Sequence, residues 1–390
     1  MSKQVHICII CNEYPNSNHG GIGSFTKDLA EGLVEKGFNV SVLGVYSKYV
    51  LDIKEKVEEN INGVNVIRYP FKVKFKDERF NYFYNRYFLK KMIKELHNDN
   101  AIDIIEAPEH DGWMPFSSVK NIPLITRLHS SVTLLGKLLN KNHSRLSSLF
   151  EKWQLKNTDY IVSVSKYTAE ETLNIFNLNK NYRVIYNSIK LPSKIKKEVV
   201  NKNIILFFGS VTPYKGITEL IKAMSIIFEK FPDIQLYLAG KNLYKIEGKS
   251  YEKYLREFIS DDFQNNIKFT GPLERENELM PLIQKACFCC FPSHVEAFSL
   301  APMEAMALGK AVIFTKYVSG PELIEDGISG LLADTKSPED IAEKIITFLE
   351  DEKLCQKIAL NGKKRVDEIF SYDKWINQNI QFYKEVINAQ

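Results

Sequence analysis

Two glutamates, Glu296 and Glu304, sit in a stretch whose residue types could do chemistry on a phosphorylated, hydroxyl-rich ligand. It reads S-H-V-E-A-F-S-L-A-P-M-E-A-M-A-L-G from Ser293 to Gly309. Before it, Ala286–Phe291 (A-C-F-C-C-F) is a continuous apolar run, the pattern of a strand buried on both faces. Pro292 and Ser293 break that run. Ala301, Met303, Ala305, Met306, Ala307 and Leu308 then favour a helix, which Gly309 should end. The order is strand, loop, helix, with Glu296 in the loop and Glu304 about one turn into the helix. Side chains on a helix lean toward its N-terminus, so Glu304 can reach back to the mouth that Glu296 borders. A helix mouth offers amide N–H groups and the positive dipole end to a phosphate. A carboxylate beside it is suited to accept hydrogen bonds from a diol of a ribose or hexose. The same spacing also fits an ordinary helix with one exposed and one capping glutamate.

Other residues with chemical potential stand at the ends of predicted strands. Val5–Cys11 is a strand followed by a turn through Gly20-Gly21-Ile22-Gly23. Phe25, Leu29, Ala30 and Leu33 then repeat at helical spacing up to Gly37, and Val40, Val42 and Leu43 form the next strand. The glycines read either as a close backbone approach to a ligand or as a plain tight turn. A dinucleotide fingerprint fails here, because Thr26 replaces its last glycine and no acidic residue ends the second strand near Gly44-Val45-Tyr46. Glu106, Glu109, His110 and Asp111 follow the strand Ile102–Glu106 as candidates for acceptor contacts, and His129 ends the strand Pro123–Leu128 beside Arg127. Without a D-x-D or H-x-x-x-H pattern, no metal site is expected. Lys215, in G-S-V-T-P-Y-K-G after the strand Asn203–Phe208, reads by itself as a lysine at a helix start.

Strand and helix alternate in both halves, which predicts two doubly wound parallel sheets with ligands at the carboxyl ends of the strands. Further strands are expected at Tyr160–Val164, Arg183–Tyr186, Gln235–Gly240, Ile267–Gly271 and Ala311–Phe314, and closing helices at Pro338–Leu349, Glu352–Phe370 and Ser371–Ile387. The expected domains are 1–190 and 203–370, with a polar linker at 191–202 and the terminal helix 371–390 returning to the first domain.

Composition agrees with a two-domain globular protein: 390 residues, 44% apolar and 26% charged. A net charge of +4 suits an anionic small molecule or membrane surface and is too weak to argue nucleic acid. No apolar run approaches the roughly 18 residues of a membrane span, and none near the start has the length of a signal peptide, so a cytoplasmic protein with reduced cysteines is expected. The C-x-x-C at Cys8 and Cys11 falls in a predicted strand and is read as core. Between Lys72 and Lys91, Phe80, Phe83, Tyr84, Tyr87 and Phe88 share a helical face, with Arg79, Arg86, Lys90 and Lys91 mostly off it. The expectation is a helix burying its aromatic face; the sharper alternative is a surface resting on the inner face of an anionic membrane.

The Ser293–Gly309 stretch resembles the E-x7-E signature of the retaining glycosyltransferases of family 4, which have the GT-B fold: two Rossmann-like domains facing an interdomain cleft. The resemblance covers nearly the whole chain, with the motifs in family order. It implies a metal-independent transferase, with no cofactor, that moves a hexose from a UDP- or GDP-linked donor to a glycan or lipid-linked acceptor in cell-surface polysaccharide or lipopolysaccharide synthesis. It implies that Glu304 holds the ribose, and that Glu296 with the backbone of Phe298, Ser299 and Leu300 holds the hexose and diphosphate. His129 then stands where the family places a histidine against the donor hexose, and Gly21 and Gly23 lie near the donor phosphates and acceptor. Gly209 to Gly216 matches the family's G-R-x-x-x-x-K-G, whose Arg and Lys bind the diphosphate. Lys215 fits; Ser210 replaces the arginine and brings no charge. The loops after Gly240 and Gly271 would hold the nucleobase. Two alternatives remain: a nucleotide-sugar 2-epimerase of the same fold, and a non-catalytic nucleotide-sugar-binding subunit.

Overall fold

The computed structural model describes residues 4–116, 119, 121–192, 195 and 198–390. Part of the predicted linker, at 193, 194, 196 and 197, lies outside them. The chain forms two compact units, Met1–Tyr186 with Asp373–Gln390, and Asn187–Tyr372.

The first unit is built on a sheet of eight strands: β1 (His6–Ile10), β2 (Asn39–Tyr46), β3 (Val57–Ile61), β4 (Val64–Pro70), β5 (Ile104–Pro108), β6 (Leu124–Leu128), β7 (Tyr160–Ser163) and β8 (Arg183–Val184). Their order is β3-β4-β2-β1-β5-β6-β7-β8. All neighbours are parallel except β3 and β4, which form a hairpin. β1 and β6 are buried at every position, because helices cover both faces and leave no solvated side to alternate toward. The β3–β4 hairpin turns on Asn62 and Gly63, both at positive φ, the backbone that a two-residue turn requires.

The second unit has a six-stranded, all-parallel sheet: β9 (Ile204–Phe208), β10 (Gln235–Ala239), β13 (Ile267–Gly271), β14 (Phe288–Phe291), β15 (Ala311–Thr315) and β16 (Leu331–Ala333), in the order β13-β10-β9-β14-β15-β16. A small hairpin, β11 (Lys245–Ile246) with β12 (Lys249–Ser250), follows β10. The doubly wound architecture expected from the sequence is therefore present in both halves.

One helix departs from expectation. The helix Glu78–Asp99 buries Asn81, Asn85, Arg86, Phe88, Leu89, Met92 and Ile93, while Phe80, Tyr82 and Tyr87 are exposed. The predicted aromatic face is turned partly outward, and Arg86, expected off the packed face, is buried. The reason is hydrogen bonding. Asn81 and Asn85 bond the backbone at Lys72, Lys74 and Phe75. Arg86 donates to the Gly112 and Asp111 carbonyls, with its guanidinium 3.9 Å from the Phe150 ring centroid. Backbone groups that would otherwise be buried without partners decide which face turns inward.

The helix Tyr372–Asn388 is fastened to the first unit's sheet through Arg127, at the C-terminal end of β6. Arg127 Nε donates to Glu106 Oε1 at 2.6 Å and its Nη2 to Asn379 Oδ1 at 2.7 Å; Tyr383 Oη donates to Glu106 Oε2 at 2.7 Å. All four side chains are buried. Arg127 is thus a structural ion pair, and Glu106 is not available for acceptor contacts. Glu106→Ala would leave Arg127 buried without its counterion, so denaturant unfolding should show a loss of about 3–5 kcal/mol.

Candidate active site

In the second unit, three loops converge at the carboxyl ends of β9, β13 and β14. After β9 the chain passes Gly209 and the exposed Ser210 into a short 3-10 turn, Pro213–Lys215, ended by Gly216 at φ +70°. A Cβ on Gly216 would lie 1.8 Å from the Pro292 carbonyl oxygen, so only glycine lets this turn press against the loop after β14. The His294 N–H closes the same seam by donating to the Tyr214 carbonyl at 2.9 Å. His294 Nε2 also lies 2.9 Å from Glu219 Oε2. This clamping carries Lys215 onto Glu296, and their side chains form an ion pair. Glu296 further accepts hydrogen bonds from the Ser293 and Ser299 hydroxyls at 3.0 and 3.3 Å.

The helix predicted after this loop runs Leu300–Ala307, with Ser299 at its N-cap position. Phe298 is buried, its ring packed on Phe370, so it anchors the loop and only its backbone is left for a ligand. Asn187 Nδ2 donates to the Phe298 carbonyl at 3.0 Å and ties down the loop. Among the described residues, Asn187 Oδ1 and Thr212 Oγ1 are buried polar atoms with no protein partner, one bordering each of these loops. Glu304 is nearly buried, and its Oε1 accepts from Arg275 Nε at 3.0 Å. Arg275 follows β13, in the loop that the resemblance assigns to the nucleobase. The structure thus brings Gly209, Ser210, Lys215, Glu296, Phe298, Ser299, Leu300 and Glu304 into one set of adjoining loops, with a cation on each of the two carboxylates.

In the first unit Gly21 and Gly23 lie in the first turn of the helix Gly21–Glu35, with Gly20 at its N-cap, where a turn before the helix was expected. Gly23 has a packing reason for being glycine: a Cβ would come within 2.2 Å of the Glu13 carbonyl oxygen. Its N–H donates to Glu13 Oε1 at 2.7 Å, so this amide is already satisfied by a carboxylate. Gly21 faces open space.

His129 packs edge-on against Phe25, with ring centroids 4.6 Å apart. Burial, then the neighbouring Arg127 guanidinium and His110, push its pKa down to about 3, so its ring is neutral at physiological pH. Glu109, proposed from sequence as an acceptor contact, is fully buried. Its carboxylate accepts the His129 and Ser130 N–H groups at 2.7–2.9 Å. Burial pushes that carboxyl's pKa upward against the pull of the His129 amide. Glu151, also buried, accepts the Asp111, Val132 and Thr133 amides. Two inward-facing carboxylates therefore set the path of the chain around His129. Sequence reasoning missed Arg275, His294 and these positioning roles; a basic residue just past a strand end was the available signal for Arg275.

Cys8 and Cys11 are buried thiols whose pKa values burial pushes up to about 12. Among the described residues no group of three or more His, Cys, Asp or Glu side chains is placed to hold a metal ion, and no helix is long and apolar enough to cross a membrane.

A depressed histidine pKa carries a stability signature. Between about pH 6.5 and 3 the unfolded chain binds a proton at His129 that the folded chain does not. Folding therefore weakens as pH falls, by up to about 1.4 kcal/mol per pH unit for this one group. Denaturant unfolding at pH 7, 6 and 5 should show the unsubstituted protein losing stability relative to His129→Gln over that range.

With this geometry in view, the likeness to known proteins is specific. A model of glycosyl transferases group 1 matches residues 190–365, and a model of glycosyltransferase family 4 matches residues 19–191. An uncharacterised glycosyltransferase of Methanocaldococcus jannaschii is 28% identical over 373 residues, covering 94% of this chain and 95% of its own. Among solved structures, sucrose-phosphate synthase from Thermosynechococcus elongatus superposes with a TM-score of 0.80 at 20% identity, over 99% of this chain and 100% of its own. HepE of Anabaena, solved in complex with UDP-glucose, gives 0.71 at 17% identity, over 99% and 100%. The fold is GT-B, and the chain belongs to the family 4 glycosyltransferases, enzymes that transfer sugars.

Proposed function

We propose that this enzyme is a retaining, metal-independent hexosyltransferase that takes its sugar from a UDP- or GDP-linked donor and delivers it to a glycan or lipid-linked acceptor. The observation that carries the reading is the placement of Glu296 in the loop after β14 and Glu304 in the helix that follows it, each engaged by a cation. A carboxylate that gives up a cation can take a pair of hydroxyl donors, and the released cation can take a phosphate. Glu304 is assigned to the ribose. Glu296 and the backbone at Phe298–Leu300 are assigned to the hexose, and Lys215 to the diphosphate. The nucleotide sugar bound by the related fold of HepE supports this class of donor.

In the reaction, the bond from the sugar's anomeric carbon to the phosphate oxygen breaks, and a bond from that carbon to the acceptor oxygen forms on the same face. The acceptor's proton goes to the departing phosphate oxygen, so no protein general base is assigned. Lys215 stabilises the negative charge that grows on the leaving group, which is where a fixed cation lowers the barrier most. His129, neutral and held by Glu109 at its backbone, is assigned a place against the hexose, where it accepts or donates a hydrogen bond without adding charge.

The exposed Phe75, Phe80, Tyr82 and Tyr87, interleaved with Lys74, Lys76 and Arg79, support a peripheral seat on an anionic membrane carrying the acceptor. Flotation with anionic vesicles should show binding that high salt removes; binding absent at low salt would end that part of the reading.

Incubation with a panel of nucleotide sugars tests the enzymatic claim. Slow release of nucleoside diphosphate to water, accelerated by an acceptor and unaffected by EDTA, is expected. An isomerised donor would mean an epimerase, and binding without turnover a non-catalytic subunit. Glu304→Ala should lower transfer by about a hundredfold or more; turnover near that of the unsubstituted enzyme at saturating donor would remove Glu304 from the site.

A further inference from the structure

We infer that Arg275 is a donor-binding residue: its guanidinium leaves Glu304 when the nucleotide sugar enters and pairs with the diphosphate, supplying the positive charge that Ser210 does not. The inference rests on the proposed donor class and goes beyond it by assigning a residue outside the matched motifs.

The ion pair is lopsided. The Glu304 side chain is 11% exposed and fixed in the wall, whereas that of Arg275 is 51% exposed. The cation is the partner free to move. Its backbone is not: Glu274 accepts the Glu276 and Asn277 N–H groups, and Glu278 accepts the Glu274 N–H at 2.7 Å. Arg275 is a swinging side chain on a pinned stem. Its other bond, from Nη2 to the Lys190 carbonyl at 3.3 Å, is weak and solvent-facing.

Charge balance gives the swing its direction. Without ligand, Glu296 and Glu304 are matched by Lys215 and Arg275, and the group is neutral. When a diol takes Glu304, its hydroxyls displace the guanidinium but bring no positive charge. The diphosphate attached to that ribose adds about two negative charges. With Ser210 carrying none, Lys215 alone would face two carboxylates and a diphosphate. A guanidinium released next to the ribose has the diphosphate as its nearest new anion, and its planar fork matches phosphate oxygens in pairs. The rival substitute is Lys241, whose carbonyl accepts the Val211 N–H beside Ser210.

Calorimetric titration of the full chain with UDP and GDP tests this at about 50 and 500 mM NaCl. For whichever nucleotide the unsubstituted protein binds, Arg275→Ala should weaken binding about tenfold to a hundredfold at low salt, and the gap should narrow at high salt. Adding Ser210→Arg to that variant should recover most of the loss of binding. Binding by Arg275→Ala equal to or tighter than the parent would overturn the inference, as would a loss that is the same at both salts. Loss in Lys241→Ala with none in Arg275→Ala would give the role to the lysine. If the unsubstituted protein binds neither nucleotide, the proposed donor class fails and this inference with it; retention by the variant alone sinks only the inference.

Discussion

A carboxylate withdrawn from water must find hydrogen-bond donors or a cation, and in a nearly dry environment the cost of failing to do so is several kcal/mol. Glu106 lies within β5, Glu109 just past it, Glu296 in the loop after β14, and Glu151 and Glu304 on helices, and each is matched. Glu106 takes Arg127 and Tyr383. Glu109 and Glu151 take backbone amides. Glu296 and Glu304 take a lysine and an arginine. The kind of partner separates their roles. Amide partners belong to the backbone and cannot leave without breaking the loop, so Glu109 and Glu151 are fixtures. Long cationic side chains at partly exposed positions are not tied to the backbone in this way, and the roles proposed for Glu296 and Glu304 rest on that difference.

Exchangeability is what a binding site needs. A fully solvated carboxylate would have to be stripped of water by each arriving ligand. A carboxylate locked by amides could accept nothing more. Between these limits, a carboxylate held by a mobile cation stays desolvated and oriented while empty, and the ligand replaces one partner with another at small net cost. The glycine at 216 and the His294 amide serve this arrangement by pressing the Lys215 turn onto the Pro292 loop, a fit that one added methyl group would prevent.

Much of this was legible in the sequence, and for identifiable reasons. Buried parallel strands write themselves as unbroken apolar runs, so β1, β6, β9, β14 and β15 could be placed within two residues. The carboxylate pair and Lys215 were legible because they stand in the loop-to-helix segments after such runs, at the spacing of the motifs they resemble. The β3–β4 hairpin was missed although Asn62-Gly63 between alternating residues is a strong turn signal; β3 is half-exposed and carries Glu58, Glu59 and Asn60. Arg275 was not legible because its partner lies far along the chain, on a helix reached only when β13 and β14 share a sheet. The inward turn of Glu106 and Glu109 was hidden for the same reason. A polar residue after a strand looks the same in sequence whether it meets solvent or the amides of the next loop.

The helix Glu78–Asp99 shows how one polar side chain can overrule a hydrophobic pattern. Counting apolar residues puts its aromatic stripe inside. Arg86, however, meets two carbonyls of the Asp111–Gly112 turn, and the rings of Phe150 and Trp113 flank its guanidinium at 3.9 and 4.7 Å. Satisfying those carbonyls fixes the helix's rotation about its axis. Phe80 and Tyr87 then point outward as a consequence, at a cost in exposed apolar area that burial of Phe88, Leu89, Met92 and Ile93 offsets. An exposed aromatic row produced in this way need not have been selected for adhesion. The exposed row is thus a consequence of the same hydrogen-bonding constraint that buries Arg86.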